Sequence, residues 1–278
     1  MDRTDIDAAR AAFLADGVVC IRGALDPAAL DVARAAFDWS LANPSSRASQ
    51  FEGGTGRFYQ DLANPHAADT YRVVLDRTPA AELAAGLLGT EDLWFMYEQV
   101  FLKEGGESRR TPWHQDTSYL PIDGDQAAVM WISFDPVTQA DSLEFIRGSH
   151  RGTLYDGSIF DAEDDTKPLY GDGSMPRLPD IEADRSKWDI LSWAVEPGDV
   201  VVFHPSVLHG GAPTHVGKRR RTLSLRFFGP DAIYAYRPGV ANIAPGDEAT
   251  VFDRLVGVLN PGDALRHPDF PKVLPRAA

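Results

Sequence analysis

The sequence predicts a mainly β protein whose core is a sandwich, jelly roll or barrel, dressed on the outside by helices that occupy most of the first third. Three observations carry this expectation. After Gly89, runs rich in Val, Ile, Phe, Trp and Tyr alternate with polar residues and are cut by Gly, Pro and Asp. Before it, apolar residues recur at helical spacing. No repeat of roughly 20 to 50 residues is visible, which argues against propellers and solenoids.

The first helix runs from Asp5, with Ile6, Ala9, Ala12, Phe13 and Ala15 on its pattern, and Gly17 stops it as a helix-ending glycine does. Val18 to Arg22 is a short apolar strand. Asp26-Pro27 opens the next helix as N-cap and first-turn proline, and Leu30, Val32, Ala35 and Phe37 continue it to Asn43-Pro44. Further helices are expected around Ala67 to Asp76 and Pro79 to Leu88. Strands follow at Leu93 to Lys103, Ala127 to Val137, Leu143 to Ile146, Leu191 to Val195, Asp199 to His204 and Arg220 to Gly229. This divides the chain into a mostly helical flank at about 1–90, a β core at about 91–235 and a C-terminal extension at 236–278. The stretch from Tyr155 to Lys187, rich in Asp, Gly and Pro, reads as a lid over a site or as a variable surface insertion. No Gly/Ser or Pro-rich linker separates helices from strands, so a single domain spanning 1–278 is expected.

Composition bounds the partners. The chain has 278 residues, with 27 Lys+Arg against 41 Asp+Glu and a net charge of −14. Nucleic acid and anionic membranes need a basic footprint, so neither is an expected partner. With 44% hydrophobic and 24% charged residues the composition is that of a globular protein rather than a disordered one. The one cysteine, Cys20, lies in the apolar run Val18-Val19-Cys20-Ile21 and reads as a small core residue. The N-terminus lacks a basic region followed by an apolar stretch, and no apolar run approaches a membrane span, so a soluble, cytoplasmic protein is expected.

Of seven histidines, His114 in Trp113-His114-Gln115-Asp116 is the informative one. In extended chain, residues i and i+2 point the same way, so an imidazole and a carboxylate at that spacing grip one ion. A divalent metal in an enzyme needs a third ligand and an open position. His209, in Val207-Leu208-His209-Gly210-Gly211 after the strand Asp199 to Phe203, is the best candidate. Two histidines and one carboxylate on one face form the facial triad of non-heme Fe(II) oxygenases. Eleven residues after His209 comes Arg220. Period-2 alternation puts Arg220, Thr222, Ser224 and Arg226 on one strand face and Arg221, Leu223, Leu225 and Phe227 on the other. An arginine pointing inward beside a metal suits fork-like binding of a carboxylate. A divalent metal, Asp116, a dicarboxylate such as 2-oxoglutarate and one arginine are together neutral, as a partly desolvated site requires.

Trp113-His114-Gln115-Asp116, Trp131-Ile132-Ser133, Leu143 to His150, Gly198 to His204 leading to His209-Gly210-Gly211, and Arg220 together resemble the phytanoyl-CoA dioxygenase family over roughly residues 10 to 235. The resemblance implies a double-stranded β-helix (jelly-roll, cupin-like) core. It implies Fe(II) held by His114, Asp116 and His209, 2-oxoglutarate clamped by Arg220, and O₂ as oxidant. Trp131 and Ser133 match positions lining the cosubstrate pocket. Relatives that halogenate have a small residue in place of the carboxylate, so Asp116 disfavours halogenation. Members often carry Gly-Ser after the distal histidine; Gly210-Gly211 departs from this and makes Thr222 or Ser133 the likelier hydroxyl donor to the cosubstrate. The implied activity is hydroxylation of an unactivated carbon of a small molecule with release of succinate and CO₂; desaturation or epoxidation are other outcomes of the same oxidant. The alternatives are a jelly-roll isomerase or hydrolase using Zn(II) or Mn(II), and a non-catalytic ligand-binding jelly roll. Nothing marks a coenzyme A site.

Lesser features are expected to be structural. His150 and His204 read as hydrogen-bonding residues. Lys218-Arg219-Arg220-Arg221 reads as a hairpin turn with one arginine turned inward, and Asp161 to Asp165 as a solvated acidic loop. Gln99, Phe101 and Lys103 share a strand face and stand between ligand contact and plain structure. Tyr97, Tyr119, Phe145 and Trp193 read as core or pocket wall.

Overall fold

The computed structural model describes residues 3–52, 56–106, 109–237 and 249–276. Helix α1 (Arg3–Asp16) ends where Gly17, at φ +79°, donates its N–H to Phe13 O at 2.9 Å. β1 (Val18–Ile21) follows. In α2 (Pro27–Ala42) the Asp26 carboxylate accepts from Ala29 N at 2.8 Å, the expected cap ahead of a first-turn proline. The stretch between α2 and the next helix, to which the sequence pattern assigns no element, is β. β2 (Ser49–Glu52) and β3 (Arg57–Leu62) form an antiparallel pair. Their Ser, Arg and Gln content hides them locally; β3 is a strand because it pairs along its whole length with a long neighbour. α3 (Ala68–Arg77) and α4 (Ala80–Leu88) complete the helical flank, and Gly89 at φ +67° caps α4.

The remaining strands are β4 (Leu93–Glu104), β5 (Thr111–His114), β6 (Ile122–Asp123), β7 (Ala127–Ser133), β8 (Leu143–Ile146), β9 (Ile190–Ser192), β10 (Val200–Phe203), β11 (His209–Gly211), β12 (Arg219–Phe228) and β13 (Ile233–Tyr234). After them come α5 (Val251–Leu255) and β14 (Lys272–Leu274). β7 stops at Ser133, short of the expected Val137, because Phe134-Asp135-Pro136 interrupts it; Val137 resumes pairing as an isolated bridge to Val195. β14 was not anticipated in the C-terminal extension and owes its conformation to pairing with β4.

Two antiparallel sheets make the jelly roll and do not close into a barrel. The large one runs β1-β10-β7-β12-β4-β3-β2, with β14 also on β4; the small one runs β5-β11-β8-β9. Alternation along β12 decides what lies on each side of the large sheet. Leu223, Leu225 and Phe227 join Leu30, Phe37 and Leu87 of the helices in one buried cluster, with Val100 and Leu102 of β4. The opposite face of these strands looks into a cavity between the sheets. Cys20 of β1 is half-buried against a separate cluster that includes Val129, Val201 and Phe203, and burial pushes its thiol up to about 11, which keeps it protonated and inert. Among the described residues no helix is long and apolar enough to cross a membrane.

Candidate metal centre

β5 and β11 are antiparallel neighbours, and His114 and His209 stand directly opposite each other in the register. Asp116 is not on a strand: Gln115 is extended (φ −120°, ψ 124°) and Asp116 opens a 3-10 turn, Asp116–Tyr119. The i, i+2 geometry survives because the two residues before the turn are extended, so the carboxylate swings to the side of the His114 ring. Gln115 anchors the bend, donating to Ser206 O at 2.7 Å and Thr153 O at 3.1 Å. Each imidazole is oriented from behind, with His114 Nδ1 on Pro112 O at 2.8 Å and His209 Nδ1 on Val207 O at 3.0 Å. A carbonyl only accepts, so each Nδ1 carries the proton and each Nε2 presents a lone pair. Those Nε2 atoms lie 3.4 Å and 3.7 Å from Asp116 Oδ1. All three ligand atoms fall within 4.8 Å of one another. Two imidazole nitrogens and a carboxylate oxygen converging in this way fit a divalent metal.

The departure at Gly210-Gly211 has a local cause. A Cβ on Gly210 would come within 2.8 Å of Thr111 O, and Gly211 sits at φ +86° with Ser142 O 3.0 Å from where its Cβ would be. The chain after His209 is therefore pressed between β5 and β8, where side chains do not fit.

Charge is balanced around Asp116 by a residue to which the sequence reading assigned no role. Burial alone would raise this carboxyl, but Arg226, then His114 and His209, hold it well below the usual carboxylate range. Arg226 Nη2 donates to Asp116 Oδ2 at 2.9 Å and to Gln99 Oε1 at 2.7 Å, and its guanidinium lies 4.5 Å from the centre of the Tyr97 ring. The signal was present, since the alternation of β12 already placed Arg226 on the cavity face. His209 is pushed down to about 3 by burial, then by His114, so its imidazole is neutral at physiological pH.

The cavity measures about 910 Å³ and contains the triad. Arg220 lines it and is 7% exposed. Its guanidinium donates to Ala212 O at 2.6 Å, Asp141 O at 2.9 Å and Pro213 O at 3.2 Å. Trp131 and Thr222 also face the cavity, as do Gln99, Phe101 and Lys103. Ser133 pairs with Thr222 in the register, yet it is absent from the wall: its Oγ donates to Asp135 O at 2.7 Å. Tyr97 and Tyr119 line the cavity, whereas Phe145 is core, packed against the rings of Phe203, Trp193 and His209. His204 and His150 lie away from the triad, and His204 Nδ1 accepts from Ser206 N at 3.0 Å. In the basic run, Arg220 turns inward while Arg221 pairs with Asp135 at 2.8 Å.

The segment from Tyr155 to Lys187 reaches over the metal centre. Phe160 stacks on Tyr119 at 5.8 Å between centroids and stands edge-on to His114 at 5.3 Å. Tyr119 Oη clasps the segment, donating to Ser158 O and accepting from Ser158 N, both at 2.7 Å. The acidic run is tied down locally by Lys167 on Asp161, Arg177 on Asp164 and Arg109 on Asp165.

The family model described as Phytanoyl-CoA dioxygenase (PhyH) matches residues 13–222. The chain is 25% identical over 221 residues to the probable alpha-ketoglutarate-dependent hypophosphite dioxygenase of Stutzerimonas stutzeri, covering 74% of this chain and 72% of that protein. It is 24% identical over 139 residues to the peroxisomal phytanoyl-CoA dioxygenase of Homo sapiens, covering 47% of this chain and 37% of the human one. The crystal structure of the epimerase SnoN in complex with Fe3+, alpha ketoglutarate and nogalamycin RO superposes with a TM-score of 0.71 at 22% identity, covering 98% of this chain and 100% of that one. That of the carbocyclase SnoK, from nogalamycin biosynthesis, gives 0.67 at 20% identity over 98% and 96%. At these identities the likeness to the solved structures is one of fold.

Proposed function

Because the chain belongs to the phytanoyl-CoA dioxygenase family, we propose that it is an Fe(II)- and 2-oxoglutarate-dependent oxygenase that hydroxylates an unactivated carbon of a small molecule. The observation that carries the reading is the convergence of His114 Nε2, His209 Nε2 and Asp116 Oδ1 in one cavity with a buried arginine. In this reading His114, Asp116 and His209 hold Fe(II), and Arg220 takes the far carboxylate of 2-oxoglutarate, with Trp131 and Thr222 beside it. Iron and cosubstrate, when bound, supply activation of O₂, with 2-oxoglutarate leaving as succinate and CO₂ as the substrate gains one oxygen.

The chain's own part is geometric and electrostatic. The backbone carbonyls of Pro112 and Val207 fix the tautomers and ring planes of the two histidines. Arg226 holds the Asp116 carboxylate ionised and oriented. Phe160 and Tyr119 roof the centre and exclude water. Aromatic and aliphatic walls, including Phe58, Phe101, Leu62 and Phe252, suit a substrate with an apolar body.

Adding Fe(II) and 2-oxoglutarate without oxygen is expected to produce a weak visible charge-transfer band in the wild-type protein. Asp116→Ala is expected to abolish it, and Arg220→Ala to weaken 2-oxoglutarate binding. No band, with no succinate formed in air across a substrate screen, would refute the proposal in favour of a jelly-roll isomerase, hydrolase or binding protein. Product analysis then tests hydroxylation itself: one added oxygen present as a hydroxyl supports it and present as an epoxide refutes it, an unchanged mass points to epimerisation, and the loss of two hydrogens points to desaturation or ring closure.

A further inference from the structure

Two buried cations stand side by side at one end of the cavity. Lys103 on β4 and Arg220 on β12 are direct partners across the strands, so their side chains leave the sheet on the same face. Both line the cavity and are 5% and 7% exposed. They share an acceptor: Ala212 O takes Lys103 Nζ at 3.3 Å and Arg220 Nη2 at 2.6 Å. Among the described residues Lys103 has in addition the face of Phe58, at 4.8 Å from the ring centre. Among the described residues neither cation forms an ion pair with a carboxylate. Burial strips their solvent and proximity makes them repel, so the pair is costly until an anion joins it.

Resting on the reading that Arg220 takes the far carboxylate of 2-oxoglutarate, we propose that Lys103 is a second cation on that carboxylate and that cosubstrate binding brings a proton onto its amine. The proton comes from solvent and forms an N–H bond with the lone pair of Nζ; no electron is transferred. The surroundings support this. Burial, then the field of Arg220, press Lys103 down from its ordinary 10.5 to about 7. Most other charges nearby are engaged elsewhere. Arg57 on β3 and Glu104 on β4 pair with each other at 3.5 Å, and Arg219 reaches Asp135 at 3.5 Å; Asp141, 3.1 Å from His215, acts on Arg220 through its field without an ion pair to either cation. The ligand's carboxylate is thus the group that restores the charged amine. Without ligand, the unfolded chain holds more protons than the folded one between about 7 and 10.5, so this lysine makes stability rise with pH across that window.

The test is calorimetric titration of 2-oxoglutarate into the Fe(II)-loaded protein under anaerobic conditions, in buffers of differing ionisation heat, over a range of pH. The wild-type protein is expected to take up a fraction of a proton near neutrality, with affinity falling up to about tenfold per pH unit above the lysine's own value. Lys103→Met is expected to bind about tenfold or more weakly at low pH, with neither proton uptake nor pH slope. It is also expected to melt higher than the wild type without ligand, which a lysine kept for structure would not do. Lys103→Arg is expected to restore affinity without the slope. Proton uptake and slope that persist in Lys103→Met, with 2-oxoglutarate still bound, overturn this inference alone. Failure of the wild-type protein to bind 2-oxoglutarate at any pH overturns the underlying reading as well.

Discussion

Asp116 shows how much of the site rests on single contacts. Its carboxylate faces two imidazoles on one side and Arg226 on the other, with the arginine 6% exposed. A buried ion pair of this kind is worth little as net stability, but removing one partner leaves the other charge uncompensated. Arg226→Gln is therefore expected to lower Fe(II) affinity about 10- to 100-fold, the usual range for a group that orients a metal ligand. Metal titration followed by the charge-transfer band measures it, and unchanged affinity would show that the histidines alone position Asp116. His-x-Asp and the distal His-Gly-Gly were legible as residues, and so was Arg220 at its spacing. Arg226 and Lys103 were visible only as members of strand faces, because an alternating pattern says which way a side chain points and not which partner it meets.

At the scale of elements, the strands that carry the site were the most readable. β12 alternates polar and apolar residues from Thr222 to Phe227, and β4 sets Gln99, Phe101 and Lys103 on one face against Val100 and Leu102 on the other; both faces landed as a period of two predicts. The β2–β3 pair and β14 were not legible, since neither has a strong pattern of its own and both are strands by virtue of pairing in the large sheet. The segment from Tyr155 to Lys187 was readable as a candidate lid by composition, but what pins it was not. Tyr119 Oη makes two hydrogen bonds to the Ser158 backbone. Tyr119→Phe removes both while keeping the ring stacked on Phe160. It is expected to increase cleavage within 155–187 on limited proteolysis and to raise succinate formation without substrate oxidation. A protease-resistant variant with tight coupling would show that the segment is held by its other contacts.

Across the whole molecule, the large sheet is assembled from distant parts of the chain, with β1 on one edge and β14 pairing with β4 at Trp94 and Leu93, away from Lys103. Deleting the segment from Pro271 onward is expected to lower the melting temperature by several degrees, at about 2–4 °C per kcal/mol lost. It is also expected to leave 2-oxoglutarate affinity within about twofold, because the cavity lies toward the other end of β4. Loss of binding would mean that this edge holds the site together. The net charge of −14 coexists with a cavity holding Lys103, Arg220 and Arg226, since overall charge and local field are set by different residues. By itself the sequence determined the candidate ligand types, their order, the sheet faces and the helical flank, because these depend on residue chemistry and on the fixed periods of helix and strand. Tertiary structure alone decided that β5 lies beside β11, that β12 lies beside β4, and hence that Asp116 meets Arg226 and Lys103 meets Arg220. Register between strands far apart in sequence is a property of the packed sheets, and no local pattern encodes it.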